Sequence, residues 1–171
     1  MSSRSRENEP LLTENEYRYV MFPIQDQDIW NMYKKQENCF WRVEEIDFSK
    51  DLTHWNSLTD NEKHFIKMIL AFFSISDSIV NINLSERFTN EIKIREAITA
   101  YRYQMMMEEI HSEVYADMLL NIVKDENERR WLADCIHNIP SIKKISDWAY
   151  KWIDSDKSIG HRVIAFAIME G

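Results

Sequence analysis

The segment 105–122 has the sequence MMMEEIHSEVYADMLLNI, which contains neither glycine nor proline. Methionine, glutamate, alanine and leucine favour helices, so the segment predicts the core of a long helix from about residue 94 to residue 122. At about 100° per residue, Glu108, His111 and Tyr115 lie on one stripe of that helix. The segment therefore predicts a helical fold and places a carboxylate, an imidazole and a phenol side by side.

The rest of the chain also favours helices, because only 2 glycines and 3 prolines interrupt its 171 residues. Thr59 and Glu62 form a capping-box pattern, and the helix that they open is predicted to extend to Leu84. Residues 40–55 are predicted to form a connector or a short helix. Further helices are predicted over 28–38, 126–137 and 141–153, and a last one begins near Arg162 after a break at Gly160. Residues 1–16 are polar and are predicted to be a flexible lead-in to an all-α bundle.

The composition restricts the classes of function. A net charge of −8 argues against a surface for nucleic acid or for an anionic membrane. Cys39 and Cys135 are too few for a disulfide framework and lie outside any CxxC metal motif, which indicates idle thiols in a reducing compartment. The N-terminus lacks the apolar stretch of a signal peptide, and the longest apolar run, 68–73, is far shorter than a membrane span. We therefore expect a cytoplasmic protein with no nucleic-acid or membrane partner.

The spacing of Glu108 and His111 is that of a metal-binding pair, one helical turn apart. Ferritin-like di-iron carboxylate bundles use one such pair from each of two helices and single carboxylates from the other two. The spacing alone is equally compatible with a solvent-facing Glu–His pair. Tyr115, one turn after His111, is either a core tyrosine or a redox-active phenol, and the spacing does not choose between these interpretations.

Two further carboxylates favour a metal site. Asp77 lies on the apolar stripe of its predicted helix, and Glu170 follows the apolar run 163–169. A carboxylate that faces a core is costly unless it is paired or bound to metal. One such residue is more often satisfied by an arginine or a backbone amide, but two on different helices beside Glu108 and His111 favour a shared site. Carboxylate oxygens and imidazole suit iron or manganese better than zinc.

Two other histidines follow an aspartate at the same spacing. Asp51 and His54 lie in the mixed connector, whereas Asp134 and His137 lie at a predicted helix end. A histidine there is better explained as a cation near a helix C-terminus. Neither pair is predicted to bind metal.

Five segments together carry a family resemblance over nearly the whole chain, from about residue 16 to residue 171. They are Phe22-Pro-Ile with Asp28-Ile-Trp, Phe40-Trp-Arg-Val-Glu-Glu, Phe72-Phe-Ser-Ile-Ser-Asp, Glu108-Glu-Ile-His-Ser-Glu-Val-Tyr and Phe166-Ala-Ile-Met-Glu-Gly. In this order they resemble the successive motifs of class I ribonucleotide reductase small subunits, closest to the eukaryotic and large-DNA-virus branch.

The resemblance implies a ferritin-like di-iron carboxylate bundle, with manganese as the alternative metal. Four of the family's six ligand positions are implied at Asp77, Glu108, His111 and Glu170. Tyr115 falls where the family carries its tyrosyl radical, generated when the diferrous centre reacts with oxygen. Trp41 falls where the family places the tryptophan that passes an electron to the centre. Without the resemblance, Trp41 would be interpreted as a buried anchor.

The implied function is that of the radical-generating subunit of ribonucleoside-diphosphate reductase. Its radical is relayed to the large subunit, which reduces ribonucleotides to deoxyribonucleotides for DNA synthesis. We therefore expect the large subunit as a partner and a homodimer as the assembly. The family's second Glu-x-x-His pair and its C-terminal docking tail follow the position of Glu170. We thus expect residues 17–171 to be a partial domain, the first helices only, that needs the missing C-terminal half and is inactive alone. The alternatives are a stand-alone ferritin-like metal-binding oxidase and a non-catalytic interaction remnant.

Overall fold

The computed structural model describes residues 9–170, and every regular element in that range is helical. The α-helices are α1 (Gln27–Asn38), α2 (Asp51–Ser57), α3 (Asp60–Asn83), α4 (Thr89–Glu91), α5 (Arg95–Ile122), α6 (Glu126–Ala133), α7 (Cys135–Asn138), α8 (Pro140–Ile153) and α9 (Ile159–Glu170). Short 3-10 helices span Pro10–Leu12 and Val43–Glu45, and a π-helical stretch spans Leu84–Phe88. The predicted all-α fold is confirmed.

Two compact units make up the chain. Unit 1 contains the described residues up to Phe40, together with Val80–Met107 and the chain from Lys151 onward, and unit 2 contains Trp41–Ile79 and Glu108–Tyr150. The two longest helices, α3 and α5, contribute residues to both units.

The predicted capping box begins α3. The Thr59 amide and hydroxyl donate to Glu62 Oε2 at 2.8 Å and 2.7 Å, and the Glu62 amide donates to Thr59 Oγ1 at 3.4 Å. These bonds satisfy amides of the first turn, which have no partner within the helix. The hydrogen bonds from Thr59 hold the pKa of Glu62 below its usual range, so the cap stays ionised at neutral pH.

Two predicted helix boundaries are wrong. The helix predicted over 126–137 is interrupted at Asp134, whose φ of −100° and ψ of 31° separate α6 from α7. The break predicted at Gly160 is absent, because α9 begins at Ile159 and Gly160 lies in its first turn. The Ser158 carbonyl accepts the Arg162 amide at 3.2 Å, which extends the helix back past the glycine.

The stretch that follows residue 8 is attached to unit 1. Leu11 and Leu12, in the first 3-10 helix, pack against the unit 1 core, and the Leu11 carbonyl accepts the Lys93 amide at 2.7 Å. Residues 1–8 of the predicted flexible lead-in lie outside the described residues.

Each unit has its own apolar core. The unit 1 core consists of Val80, Leu84, Phe88, Ile92, Ala97, Ile98, Ile159 and Phe166. The unit 2 core consists of Ala71, Val123, Leu132, Cys135 and Ile142. Unit 1 also buries a charge, because the Arg162 guanidinium is paired with the Glu91 carboxylate, which accepts a further bond from Arg87 Nε at 2.7 Å.

The helical stretch Asp60–Glu91 is apolar enough and long enough to match a membrane span by composition, with a mean hydropathy of 1.6 over its best 18 residues. The prediction from the short run 68–73 therefore underestimated how apolar this region is. A core helix of a soluble protein meets the same criteria, so the property does not distinguish the two environments.

We expect Glu91→Gln to lower the free energy of unfolding by about 3 to 5 kcal/mol, because it leaves the buried Arg162 charge without a counter-ion. Chemical denaturation followed by circular dichroism measures this. Asp147→Asn is the control, since it removes an exposed pair with Lys143 that contributes at most about 1 kcal/mol. Equal effects of the two substitutions would contradict the prediction.

Candidate metal centre

Two helices of unit 2 bring three of the predicted ligands together. Asp77 lies on α3, and Glu108 and His111 lie one turn apart on α5. One ligand atom from each of the three lies within 4.8 Å of the others. His111 Nδ1 is 2.9 Å from Glu108 Oε2 and 3.8 Å from Asp77 Oδ2. Within residues 9–170 this is the one group of three or more such side chains that could hold a metal ion.

The electrostatics of the group fit a bound cation. Burial raises the pKa of Asp77 to about 6, and the neighbouring Glu108 carboxylate adds to that rise, whereas His111 and Ser76 oppose it. Asp77 Oδ2 is buried and accepts no hydrogen bond from the described residues. Glu108 is also buried, at 6 % exposure. A divalent cation would relieve both the repulsion and the unmet acceptor, and two carboxylates with an imidazole are ligands for iron or manganese.

A row of aromatic rings borders this group. The Trp41 ring stacks on the His111 ring with centroids 5.6 Å apart, and the Tyr115 ring lies 6.5 Å from the His111 ring at a tilt of 48°. Phe73 stacks on Tyr115 with centroids 5.5 Å apart and an interplanar angle of 29°. Burial, followed by the charges of Asp77 and Glu108, raises the pKa of Tyr115 above its usual value. The phenol therefore keeps its proton at neutral pH.

No role at the site was predicted for Phe73, although it lies four residues, about one helical turn, before Asp77. Tyr115 lies one turn after His111, so each helix carries an aromatic residue one turn away from a ligand. This matching spacing was the feature of the sequence that could have indicated a contact between Phe73 and Tyr115. It could not be used without knowing that α3 and α5 face each other at these residues.

The remaining sequence candidates lie elsewhere. Glu170 belongs to unit 1, where its Oε1 accepts a hydrogen bond from Gln104 Nε2 at 2.6 Å, and its assignment as a ligand stays a prediction. His54 is exposed on α2. His137 Nδ1 lies 2.5 Å from Asp134 Oδ1, and both side chains are largely exposed. His137 lies in the last turn of α7, the helix-end position that the sequence indicated.

Comparison with known proteins identifies the family. The family model for the ribonucleotide reductase small chain matches residues 18–171. The chain belongs to this family. It is 55% identical over 163 residues to a ribonucleoside-diphosphate reductase small chain of Variola virus, and the match covers 95% of this chain and 51% of that relative. A ribonucleoside-diphosphate reductase subunit M2 of Danio rerio is 53% identical over 166 residues, covering 96% of this chain and 43% of that protein.

Solved structures support the same assignment. A ribonucleotide reductase homodimer from Saccharomyces cerevisiae matches with a TM-score of 0.86 and 39% identity, covering 98% of this chain and 54% of that chain. The ribonucleotide reductase R2 subunit from Clostridium botulinum, at 23% identity and a TM-score of 0.69, covers 85% of this chain and 46% of that chain and shares the fold. The predicted ferritin-like helical fold is confirmed. The chain spans about half the length of the curated relatives it matches.

We expect Asp77→Asn to stabilise the metal-free chain at pH 7.5 by about 1 to 3 kcal/mol. The pKa of Asp77 is raised in the folded state from 3.8 to about 6, so the folded chain binds the proton more tightly than the unfolded chain does. Relative to Asp77→Asn, the unsubstituted chain therefore loses stability as the pH rises from about 4 to about 6, and the difference then stays level. Denaturation in the presence of a chelator at several pH values measures the difference.

The control for this prediction is Asp117→Asn, which changes an exposed aspartate of α5. It should leave both the stability and its pH dependence nearly unchanged. A stability difference between Asp77→Asn and the unsubstituted chain that does not grow between pH 4 and pH 6 would contradict the raised pKa of Asp77.

Proposed function

We propose that this chain is the metal-binding portion of a ribonucleoside-diphosphate reductase small subunit, which provides a di-iron centre and a tyrosyl radical for the reduction of ribonucleotides. One observation carries the proposal. The chain belongs to this family, and its Tyr115 ring lies beside the His111 imidazole, which is one of a group of three potential metal ligands.

The residues of unit 2 would each contribute a distinct property. Asp77, Glu108 and His111 would hold the metal, for which we propose iron, with manganese as the alternative. When bound, the metal supplies the oxidising capacity for the site. Because the pKa of Tyr115 is raised, its hydroxyl is protonated at neutral pH, so removal of an electron from the ring must be accompanied by removal of that proton. Trp41, stacked on His111, is in contact with the ligand ring and suited to pass an electron toward the group.

Activity requires more than these residues. We propose Glu170 as a fourth ligand and the C-terminal half of the subunit as the source of the remaining ligands. In the relatives, that half corresponds to the part of the protein that this chain does not span. The further partners we propose are the large subunit and a second copy, since a structural relative is a homodimer. The net charge and the composition support a cytoplasmic location for this assembly. Family membership favours this role over a stand-alone oxidase or a remnant without catalytic function.

Iron binding tests the ligand assignment. We expect Glu108→Ala and His111→Ala each to lower the affinity of the chain for ferrous iron by at least about tenfold, because each removes one of three grouped ligands. Anaerobic titration with metal analysis measures it. Glu113→Ala and His137→Ala, which change exposed residues, are matched controls. Iron binding that is equal in all five proteins would refute the ligand assignment.

The radical assignment has its own test. The chain is mixed with a separately produced C-terminal half of a close relative, ferrous iron and oxygen, and examined by electron paramagnetic resonance. We expect a tyrosyl signal that Tyr115→Phe abolishes. Tyr101→Phe, on the same helix but in the unit 1 core, should retain it. A folded mixture that binds its iron and gives no signal would contradict the proposed function.

A further inference from the structure

Phe73 and Tyr115 form the second of two contacts that join α3 to α5 at the site. In the first contact, His111 Nδ1 lies 3.8 Å from Asp77 Oδ2. In the second, one turn earlier on α3 and one turn later on α5, the rings of Phe73 and Tyr115 stack at 5.5 Å. The two contacts share one register, because residues four apart on a helix lie on the same face. The register that brings the ligands together therefore also brings Phe73 onto Tyr115.

The orientation of the Tyr115 ring depends on its ring contacts. The described residues form no hydrogen bond to its hydroxyl, and its other ring neighbour is His111, at 6.5 Å. Phe73 is the closer of these two rings. Aromatic pairs prefer particular stacked or edge-to-face arrangements, so the stacked contact with Phe73 favours one orientation of the Tyr115 ring over others.

The chemistry of phenylalanine suits this position. A benzyl ring covers a neighbouring phenol without offering a hydrogen-bond partner, and it has no acidic hydrogen to give to an oxidised phenol. Phe73 stacks on the Tyr115 ring and is 39 % exposed, so it covers one part of that ring while its own outer edge meets water. A tyrosine at this position would instead place a second oxidisable phenol against the first.

We propose that Phe73 is a positioning residue for Tyr115, which fixes the ring orientation of the phenol and covers it with a side chain that cannot be oxidised in its place. This inference rests on the proposed redox role of Tyr115. It extends the site from three ligands and one phenol to an aromatic residue on the facing helix.

The test begins with the metal-free chain labelled with 3-fluorotyrosine and studied by fluorine nuclear magnetic resonance. Tyr115→Phe assigns the signal of Tyr115 among the 7 tyrosines. We expect Phe73→Leu to shift that signal by more than its linewidth, because the ring current of Phe73 is removed. Phe65→Leu is the control, since Phe65 is an exposed phenylalanine about two turns earlier on the same helix, and it should leave the signal in place.

A rescue variant separates positioning from general damage to the fold. Phe73→Trp keeps an aromatic ring, and the exposed outer edge of the site leaves room for it. It should restore a ring-current-shifted signal, with helical content unchanged by circular dichroism. A Tyr115 signal that is unaffected by Phe73→Leu, or moved equally by Phe65→Leu, would overturn the inference.

The assembled subunit gives the second readout. The hyperfine splitting of a tyrosyl radical by its β-methylene hydrogens reports the rotation of the ring, so Phe73→Leu should alter the splitting and Phe65→Leu should not. An unaltered splitting in Phe73→Leu would overturn the positioning role. A fluorine shift in the metal-free chain without any radical in the assembled subunit would instead refute the proposed function and leave the Phe73 contact established.

Discussion

The constraint on which unit 2 depends is the placement of two carboxylates, Asp77 and Glu108, beside one imidazole in a largely buried position. Like charges at such distances oppose each other, and burial removes the water that would screen them. The raised pKa of Asp77 is the direct result. Packing along α3 and α5 must therefore be favourable enough to hold the group together. A bound cation would remove the repulsion between the two carboxylates and so stabilise the group.

Helix length is how the chain meets this constraint. The helices α3 and α5 are 24 and 28 residues long, and Asp77 and Glu108 each lie more than one turn from the nearest end of their helix. The ligands are therefore kept away from the ends, where helices fray. The capping box at Thr59 fixes where α3 begins, and the apolar core of unit 2 packs on the same helix through Ala71. Phe73, between Ala71 and Asp77, is carried into contact with Tyr115 by the same register. The site is thus a consequence of two long, regular helices.

Local spacing predicted what lies within one helix, and it was less informative about contacts between helices. Glu108, His111 and Tyr115 were predicted together because one helix carries them all. The Phe73 contact depends on how α3 and α5 are rotated toward each other, which the periodicity of either helix leaves open. The failures at Asp134 and Gly160 have a related cause, since a single residue can bend or continue a helix according to packing and capping that lie outside the local pattern. Ser158, a favoured residue before a helix, was the overlooked signal for the earlier start of α9.

The carboxylates and the aromatic rings act on different properties of the same phenol. Burial, with the charges of Asp77 and Glu108 added to it, raises the pKa of Tyr115 and so keeps its oxygen protonated, while Phe73 and His111 are its ring neighbours. A phenol in this state is oxidised readily only if a base accepts its proton at the same time. Asp77, with a pKa of about 6, is ionised at neutral pH and close enough to influence that phenol electrostatically. The charges of the proposed metal ligands therefore also affect the protonation of the residue proposed to carry the radical. A change at Asp77 should alter both metal binding and the chemistry of Tyr115.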